Sequence, residues 1–145
     1  MEIAEIARDW VGKEFDLTEF RVSQSDMLEY ASAVGETDPR FTDPGHPDFQ
    51  APPTFTAKFL SRRVLPESFP FLGSRGFDAG KTVVVHAPLR PNAVLRAHSK
   101  IAEIYEKTGR TGSMVFIVHR MEFETDEGEA ISTVDWRMVR QPDPA

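Results

Sequence analysis

Hydrophobic and polar positions change their spacing along this chain, from helical spacing near the start to strand-like alternation in the second half. Within 23–35, apolar residues recur at i, i+3, i+4 and i+7, which predicts one apolar face of a helix. Those residues are Met27, Tyr30, Ala31 and Val34. Ser23 followed by Asp26 has the spacing of a helix N-terminal cap, and Gly35 supplies a C-terminal stop. We therefore predict a helix that ends just before Gly35.

Alternating apolar and polar residues predict strands before this helix and through the second half of the chain. The strand-like segments are 14–23, 81–89, 93–107, 113–125 and 129–141. In the last segment Ala130, Val134 and Trp136 share one face, so we expect one face of the sheet to be buried. The alternation slips by one residue between Ile101 and Ile104, which indicates a β-bulge.

A proline-rich loop and a second apolar segment join the two halves. Residues 36–53 contain five prolines, and this density excludes regular structure. Residues 54–69 follow, and their apolar stripe predicts a second, buried helix. The stripe consists of Phe55, Phe59, Leu60 and Val64.

Together these elements predict an α+β fold. A long curved antiparallel sheet around a central apolar helix, the hotdog arrangement, buries both parts most simply. A small closed barrel with peripheral helices is the alternative, and the apolar character of 55–65 disfavours it. We predict one domain over residues 1–140 and a frayed C-terminal tail at 141–145.

Composition and charge exclude several classes of function. The 145-residue chain carries a net charge of −6, without the basic stripe that a nucleic-acid interface requires. It has no cysteine, and its four histidines lack metal-ligand spacing, so we expect no metal site. No apolar run approaches the roughly 20 residues that span a bilayer. The N-terminus has no secretory pattern, so we expect the protein to lie in the cytoplasm, away from membranes.

Five motifs in order resemble the MaoC-like hydratases and dehydratases. They are VGKEF (11–15), YASAVGETDP (30–39), APPTF (51–55), HAPLRPNAVL (86–95) and IYEKTGRTGSMVF (104–116). The resemblance is nearest to the FAS1-like dehydratase N-terminal branch and covers about residues 8 to 140. It implies a hotdog fold and pairing of two hotdogs.

The same resemblance implies an acyl-thioester substrate carried on CoA or acyl carrier protein, with no other cofactor. The reaction it implies is reversible addition of water to a trans-2-enoyl thioester. That chemistry needs a base, an acid and an N–H donor for the thioester oxygen. Active relatives supply the acid and base from a loop that reads G-D-x-N-P-x-H after the first helix.

In this chain the corresponding loop has exchanged its catalytic residues. Gly35 and Pro39 match the motif, but Glu36 stands at the Asp position, Asp38 at the Asn position and Phe41 at the His position. A glutamate could keep a carboxylate there, although a shift of about 1 Å can cost roughly 100-fold in rate. A phenyl ring transfers no proton. Glu36 and Asp38 are therefore tentative catalytic residues, and a solvated acidic turn is the alternative reading.

Other candidate residues follow from the same alignment. His46 is the nearest histidine in sequence, but it lies in a variable loop. Because Pro52 and Pro53 have no N–H, Thr54 is the first amide that could reach a thioester oxygen. Phe41, Phe55 and Phe59 are expected to be core residues or walls of an acyl pocket. Four arginines could contact CoA phosphates or a carrier protein, or could simply be surface cations: Arg62, Arg63, Arg90 and Arg110.

Four hypotheses remain open from the sequence. The leading one is a non-catalytic, acyl-binding subunit of a hetero-dimeric or hetero-tetrameric (3R)-hydroxyacyl-thioester dehydratase, whose hotdog partner supplies Asp and His. The second is a self-sufficient homodimeric enoyl-CoA hydratase with Glu36 as base. The third is an acyl-thioester-binding hotdog without catalysis. A hotdog thioesterase is the fourth, and the lack of Asp or Glu in 54–65 counts against it.

Overall fold

A computed structural model describes residues 2–143 and contains one five-stranded antiparallel sheet with short helices. The strands follow the spatial order β1-β3-β4-β5-β2. The helices are α1 (Ile3–Trp10), α2 (Gln24–Ala33) and α3 (Pro39–Thr42), with a 3-10 turn at Phe55–Lys58. The strands are β1 (Glu14–Arg21), β2 (Arg75–Val85), β3 (Val94–Gly109), β4 (Gly112–Thr125) and β5 (Ala130–Gln141). The predicted α+β class is confirmed.

Helix α2 forms where the hydrophobic spacing predicts it. The Ser23 hydroxyl accepts a hydrogen bond from the Asp26 amide at 3.1 Å and so caps the first turn. Met27 and Ala31 are buried on the predicted face. Gly35 adopts φ 75°, a left-handed conformation that favours glycine, and the chain leaves the helix there.

The strands agree with the sequence pattern except at the start of β2. The register shifts between Ile101 and Glu103, which confirms the predicted bulge in β3. β2 begins at Arg75, earlier than predicted, and a second shift lies between Asp78 and Lys81. Two glycines and a bulge hide the alternation there.

The predicted frayed tail, 141–145, begins one residue too early, because Gln141 still belongs to the sheet. Gln141 is the last residue of β5 and pairs with Arg75, so its backbone is held by the sheet. The Asp143 carboxylate accepts a hydrogen bond from the Ser74 hydroxyl at 2.7 Å. Residues 144 and 145 lie outside the described range.

The core lies on the concave face of the sheet, in two clusters. The first cluster packs beneath α2 and the 3-10 turn around Met27, Phe55 and Phe123. The second packs beneath α1 around Ile6, Ile101 and Ile117. The convex face instead carries a ladder of ion pairs, such as Lys100 with Glu122 at 2.9 Å.

The predicted central helix over 54–69 is wrong. Only the 3-10 turn Phe55–Lys58 forms, and Phe59 already has extended backbone angles. We call residues 57–72, which include the end of the 3-10 turn and the irregular segment after it, the strap. Leu60 is 60% exposed and Val64 40% exposed, although a buried helix would have covered both.

The strap replaces a helix because side chains of the sheet satisfy its backbone. The Lys81 ammonium donates to the Ala57 carbonyl at 2.7 Å. The Arg62 amide donates to the Asp16 carboxylate at 3.2 Å, and His119 contacts the Val64 carbonyl at 2.9 Å. Backbone groups with such partners do not need helical hydrogen bonds. Across the part of the chain described, no helix is long and apolar enough to cross a membrane.

Candidate functional site

The loop after α2 uses one of its two acidic residues to build the loop itself. Asp38 is the N-cap of α3, and its carboxylate accepts from the Arg40 amide at 3.0 Å. The Arg40 guanidinium also donates to it, at 2.7 and 3.1 Å. These bonds from Arg40, the side-chain one foremost, hold the pKa of Asp38 below its usual range. Asp38 is therefore an ionised capping residue.

Glu36, Phe41 and His46 lie in different surroundings. Within residues 2–143 the half-buried Glu36 side chain has no hydrogen bond or ion pair, so its carboxylate is available. Phe41 is 7% exposed, and the Arg40 guanidinium lies 5.1 Å from its ring centre. His46 Nδ1 accepts from the Asp48 amide at 3.0 Å, which leaves Nε2 to carry the proton of a neutral ring.

An apolar cavity of about 90 Å³ lies where the APPTF motif meets the ends of β2 and β5. We call it the edge cavity. Its lining comprises Gln50, Ala51, Pro52, Pro53, Phe55, Thr56, Val85, Ala87, Pro88, Leu89, Ile131 and Ser132. At its base the Thr56 and Ser132 hydroxyls are hydrogen bonded to each other at 2.8 Å. The walls are thus largely apolar, as a site for an aliphatic chain requires.

The structure brings only some of the predicted binding residues to the edge cavity. Phe55 lines it and is 1% exposed. Thr54 lies beside it, where its hydroxyl contacts the Tyr30 hydroxyl at 2.7 Å. Phe59 lines a separate small cavity under the strap, and Phe41 is the buried residue of α3.

The edge cavity opens beside β2, an edge strand of the sheet. Phe77, Val84 and Val85 on this strand are 55%, 52% and 48% exposed. An edge strand presents unpaired N–H and C=O groups that can pair with a further strand. Exposed apolar side chains on such a strand are typical of a surface that a partner covers.

The four candidate arginines do not form one phosphate site. Arg62 donates to the Leu17 carbonyl at 2.9 Å, and Arg63 lies 4.0 Å from Glu67. Arg90 forms an ion pair with Asp48 at 2.8 Å. Arg110 follows the last residue of β3. That strand is about 50 Å long at about 3.3 Å per residue, so Arg110 lies far from the strand's first residue. Of the four, Arg90 lies nearest in sequence to the cavity lining, next to Leu89.

The structure adds a row of polar residues on the concave face that sequence reasoning missed. Asp16, Lys81 and His119 lie on three strands and hold the strap backbone. Burial lowers the pKa of His119, which is 1% exposed, and burial also lowers the pKa of Lys81. In the sequence, each of these three residues can be recognised as a polar residue at a strand position that faces the core.

Comparison with known proteins gives a family match over most of the chain. The family described as "FAS1-like, dehydratase domain region" matches residues 9–134. A UPF0336 protein from Parafrankia sp. is 28% identical over 136 residues, which cover 86% of this chain and 87% of that protein.

Solved structures share the fold at low sequence identity. The MaoC-like dehydratase from Rhodospirillum rubrum superposes with a TM-score of 0.64 at 20% identity, covering 93% of this chain and 94% of that one. The ChsH1–ChsH2 complex from Mycobacterium tuberculosis gives a TM-score of 0.67 at 18% identity, covering 99% of this chain and 91% of the matched chain. The arrangement described above is therefore the hotdog fold, with a strap in place of the expected helix.

Proposed function

The chain belongs to the FAS1-like dehydratase-domain family, and from that premise we propose that it is the acyl-binding, non-catalytic half of a heteromeric dehydratase. The reaction of the whole assembly is interconversion of a (3R)-hydroxyacyl thioester and its trans-2-enoyl form. This chain shapes the acyl site, and a partner hotdog supplies the acid and base.

The observation that carries the proposal is the state of the loop after α2. Its Asp38 carboxylate is occupied by Arg40, and Phe41 places a buried phenyl ring where active relatives have histidine. Hydration needs one group that takes a proton and another that gives one. Glu36 alone, without a paired histidine, supplies half of that set.

The edge cavity supports the assignment of an acyl site shared between two chains. At about 90 Å³ it is well below the roughly 300 Å³ at which small-molecule pockets begin. It opens at the free edge of β2, where a second hotdog would extend the sheet and add the missing wall. The likeness to one chain of the ChsH1–ChsH2 complex is consistent with such a partner.

The substrate in this proposal arrives on CoA or acyl carrier protein and needs no further cofactor. Arg90 is the preferred contact for a phosphate of that carrier, because it lies beside the cavity lining. Its ion pair with Asp48 is about half exposed and so is weak enough to be exchanged. We expect the assembly to work in the cytoplasm.

The decisive assay is hydration of crotonyl-CoA and longer trans-2-enoyl-CoAs. The protein is assayed alone and after co-expression with a hotdog chain that has an intact G-D-x-N-P-x-H loop. We expect no activity from this chain alone, and more activity in the mixture than from the partner by itself. Activity of this chain alone would refute the non-catalytic role. Binding without turnover in both preparations would support an acyl-binding hotdog that takes no part in catalysis.

A second candidate, a self-sufficient homodimeric hydratase, is favoured by the free carboxylate of Glu36. In that case hydration by the purified chain would be abolished by Glu36→Gln. The matched variant Asp38→Asn keeps an oxygen that can cap α3 and chiefly weakens the ion pair with Arg40. A difference between the two variants separates a base from a structural carboxylate.

A further inference from the structure

A small cavity lies under the strap, on the concave face of the sheet. Its volume is about 10 Å³, the size of one water molecule or one hydroxyl group. The lining comprises Phe59, Leu60, Ser61, Lys81, His119, Met121, Val134 and Trp136. Most of these residues are apolar or aromatic. The Ser61 hydroxyl already donates to the Arg63 carbonyl and the Trp136 N–H to Asp78, so Lys81 and His119 set the polarity of the cavity. We call it the His119 cavity.

His119 presents a hydrogen-bond acceptor here. Its Nδ1 lies 2.9 Å from the Val64 carbonyl oxygen, and a carbonyl can only accept. Nδ1 therefore carries the proton, and Nε2 of the neutral ring has a lone pair. Nε2 is buried and, among the residues described, has no hydrogen-bond partner. A buried acceptor of this kind is unfavourable until a donor reaches it.

Lys81 brings a donor to the same cavity. Its Nζ donates one hydrogen bond to the Ala57 carbonyl at 2.7 Å, and an ammonium has three N–H donors. It also lies 5.3 Å from the centre of the Trp136 ring. A group that satisfies both neighbours must donate to His119 and accept from Lys81. A hydroxyl does both, whereas a carbonyl only accepts and a methylene does neither.

The His119 cavity lies between two larger ones along β5. Ser132 lines the edge cavity, Val134 and Trp136 line the His119 cavity, and Arg140 lines a cavity of about 470 Å³ under the far end of the strap. Ser132 and Arg140 are about 26 Å apart at about 3.3 Å per residue. The strap lines the second and third of these cavities, and its backbone is held by side chains rather than by strand pairing.

We propose that the His119 cavity binds a hydroxyl group carried within an otherwise apolar acyl chain. The hydroxyl donates to His119 Nε2 and accepts from Lys81, while the aliphatic parts of the chain lie in the cavities on either side. This inference rests on the proposed function, because it takes the chain of an acyl thioester as the ligand. When no chain is bound, a water molecule supplies the same O–H chemistry.

Binding to a series of acyl-CoAs tests the inference. The probes are a saturated long-chain acyl-CoA and its mono-hydroxylated isomers, with the hydroxyl moved one carbon at a time. Calorimetry with the full chain, alone and with its hotdog partner, gives each Kd. We expect one isomer, or two adjacent ones, to bind about tenfold more tightly than the plain chain, as one satisfied buried hydrogen bond predicts.

Two variants of His119 separate ligand binding from support of the strap. In His119→Asn the side-chain amide nitrogen is three bonds from Cα, as Nδ1 is in histidine. The hydrogen bond to the Val64 carbonyl is therefore kept, whereas the acceptor that Nε2 provides is lost. We expect this variant to abolish the preference for the hydroxyl without faster hydrogen exchange in the strap. In His119→Gln the longer side chain keeps a polar group near Nε2, so the preference is retained while exchange in the strap becomes faster.

Each outcome has a distinct meaning. Binding of the plain chain with no isomer preferred by more than about twofold overturns the hydroxyl site and leaves the proposed function intact. Absence of binding by every acyl-CoA overturns both. A crystal structure of the preferred isomer, with its hydroxyl oxygen within hydrogen-bond distance of Nε2, supports the site. A water molecule in that position, with the hydroxyl elsewhere, overturns it.

Discussion

Truncation of two neighbouring apolar side chains tests the strap directly. Phe55 lies in the 3-10 turn and is 1% exposed, while Leu60 lies in the strap and is 60% exposed. A helix over 54–69 would bury both residues on one stripe. The structure instead predicts that Phe55→Ala is severe and that Leu60→Ala is nearly neutral.

The contacts of Phe55 set the expected magnitude. Its ring centre lies 5.4 Å from that of Tyr30 and 5.5 Å from that of Phe59, both in edge-on geometry. Burial of a phenyl ring in such a cluster predicts a loss of about 3–5 kcal/mol in the free energy of unfolding on truncation. Leu60→Ala should change it by about 0.5 kcal/mol, as surface substitutions do.

Urea denaturation followed by circular dichroism measures both variants. Phe71→Ala is the matched control, because Phe71 is 77% exposed and loses the same atoms as Phe55. We expect its midpoint to equal that of the wild type. If Leu60→Ala cost about 2 kcal/mol or more, the value for a buried leucine, the exposed strap would be wrong and a packed helix would be indicated.

Two further predictions concern the convex face and the free edge. His98 lies 2.9 Å from Glu124 and 2.6 Å from Glu14, and its hydrogen bond to Glu124 is the largest cause that raises its pKa above the usual 6.5. Its contribution to stability is therefore full below the unfolded-state pKa and is lost as pH rises through the folded-state pKa. Urea titrations should show His98→Gln less stable than the wild type at about pH 6 and nearly equal to it at about pH 9. A pH-independent difference would contradict this assignment. Val84→Asp on β2 should prevent assembly with a hotdog partner in size-exclusion chromatography without lowering the thermal midpoint, and unchanged assembly would place the interface elsewhere.

The sequence predicted elements whose signals are local. Ser23 and Gly35 mark the ends of α2 because a cap and a left-handed stop need only neighbouring residues. The bulge after Ile101 was visible because a slip in alternation is also local. The comparison of residues 35–41 with the G-D-x-N-P-x-H motif also needs only neighbouring residues. The buried position of Phe41 and the capping role of Asp38 then followed from the short helix that the motif forms.

The strap could not be predicted because its partners are distant in sequence. Residues 54–69 have helical spacing of apolar residues, but Asp16, Lys81 and His119 reach their backbone from three different strands. Such contacts exist only after the sheet has formed. For the same reason the His119 cavity has no signal in any single motif.

If a partner performs the proton transfers, loss of a carboxylate should stop hydration only when that carboxylate belongs to the partner. Enoyl-CoA hydration should be measured for the reconstituted assembly with Glu36→Gln in this chain, beside an assembly whose partner has lost the Asp of its intact loop. We predict that kcat is unchanged by Glu36→Gln and is lost in the partner variant. A fall of about 100-fold or more with Glu36→Gln, in an assembly of unchanged size, would make Glu36 the base and refute the non-catalytic role of this chain.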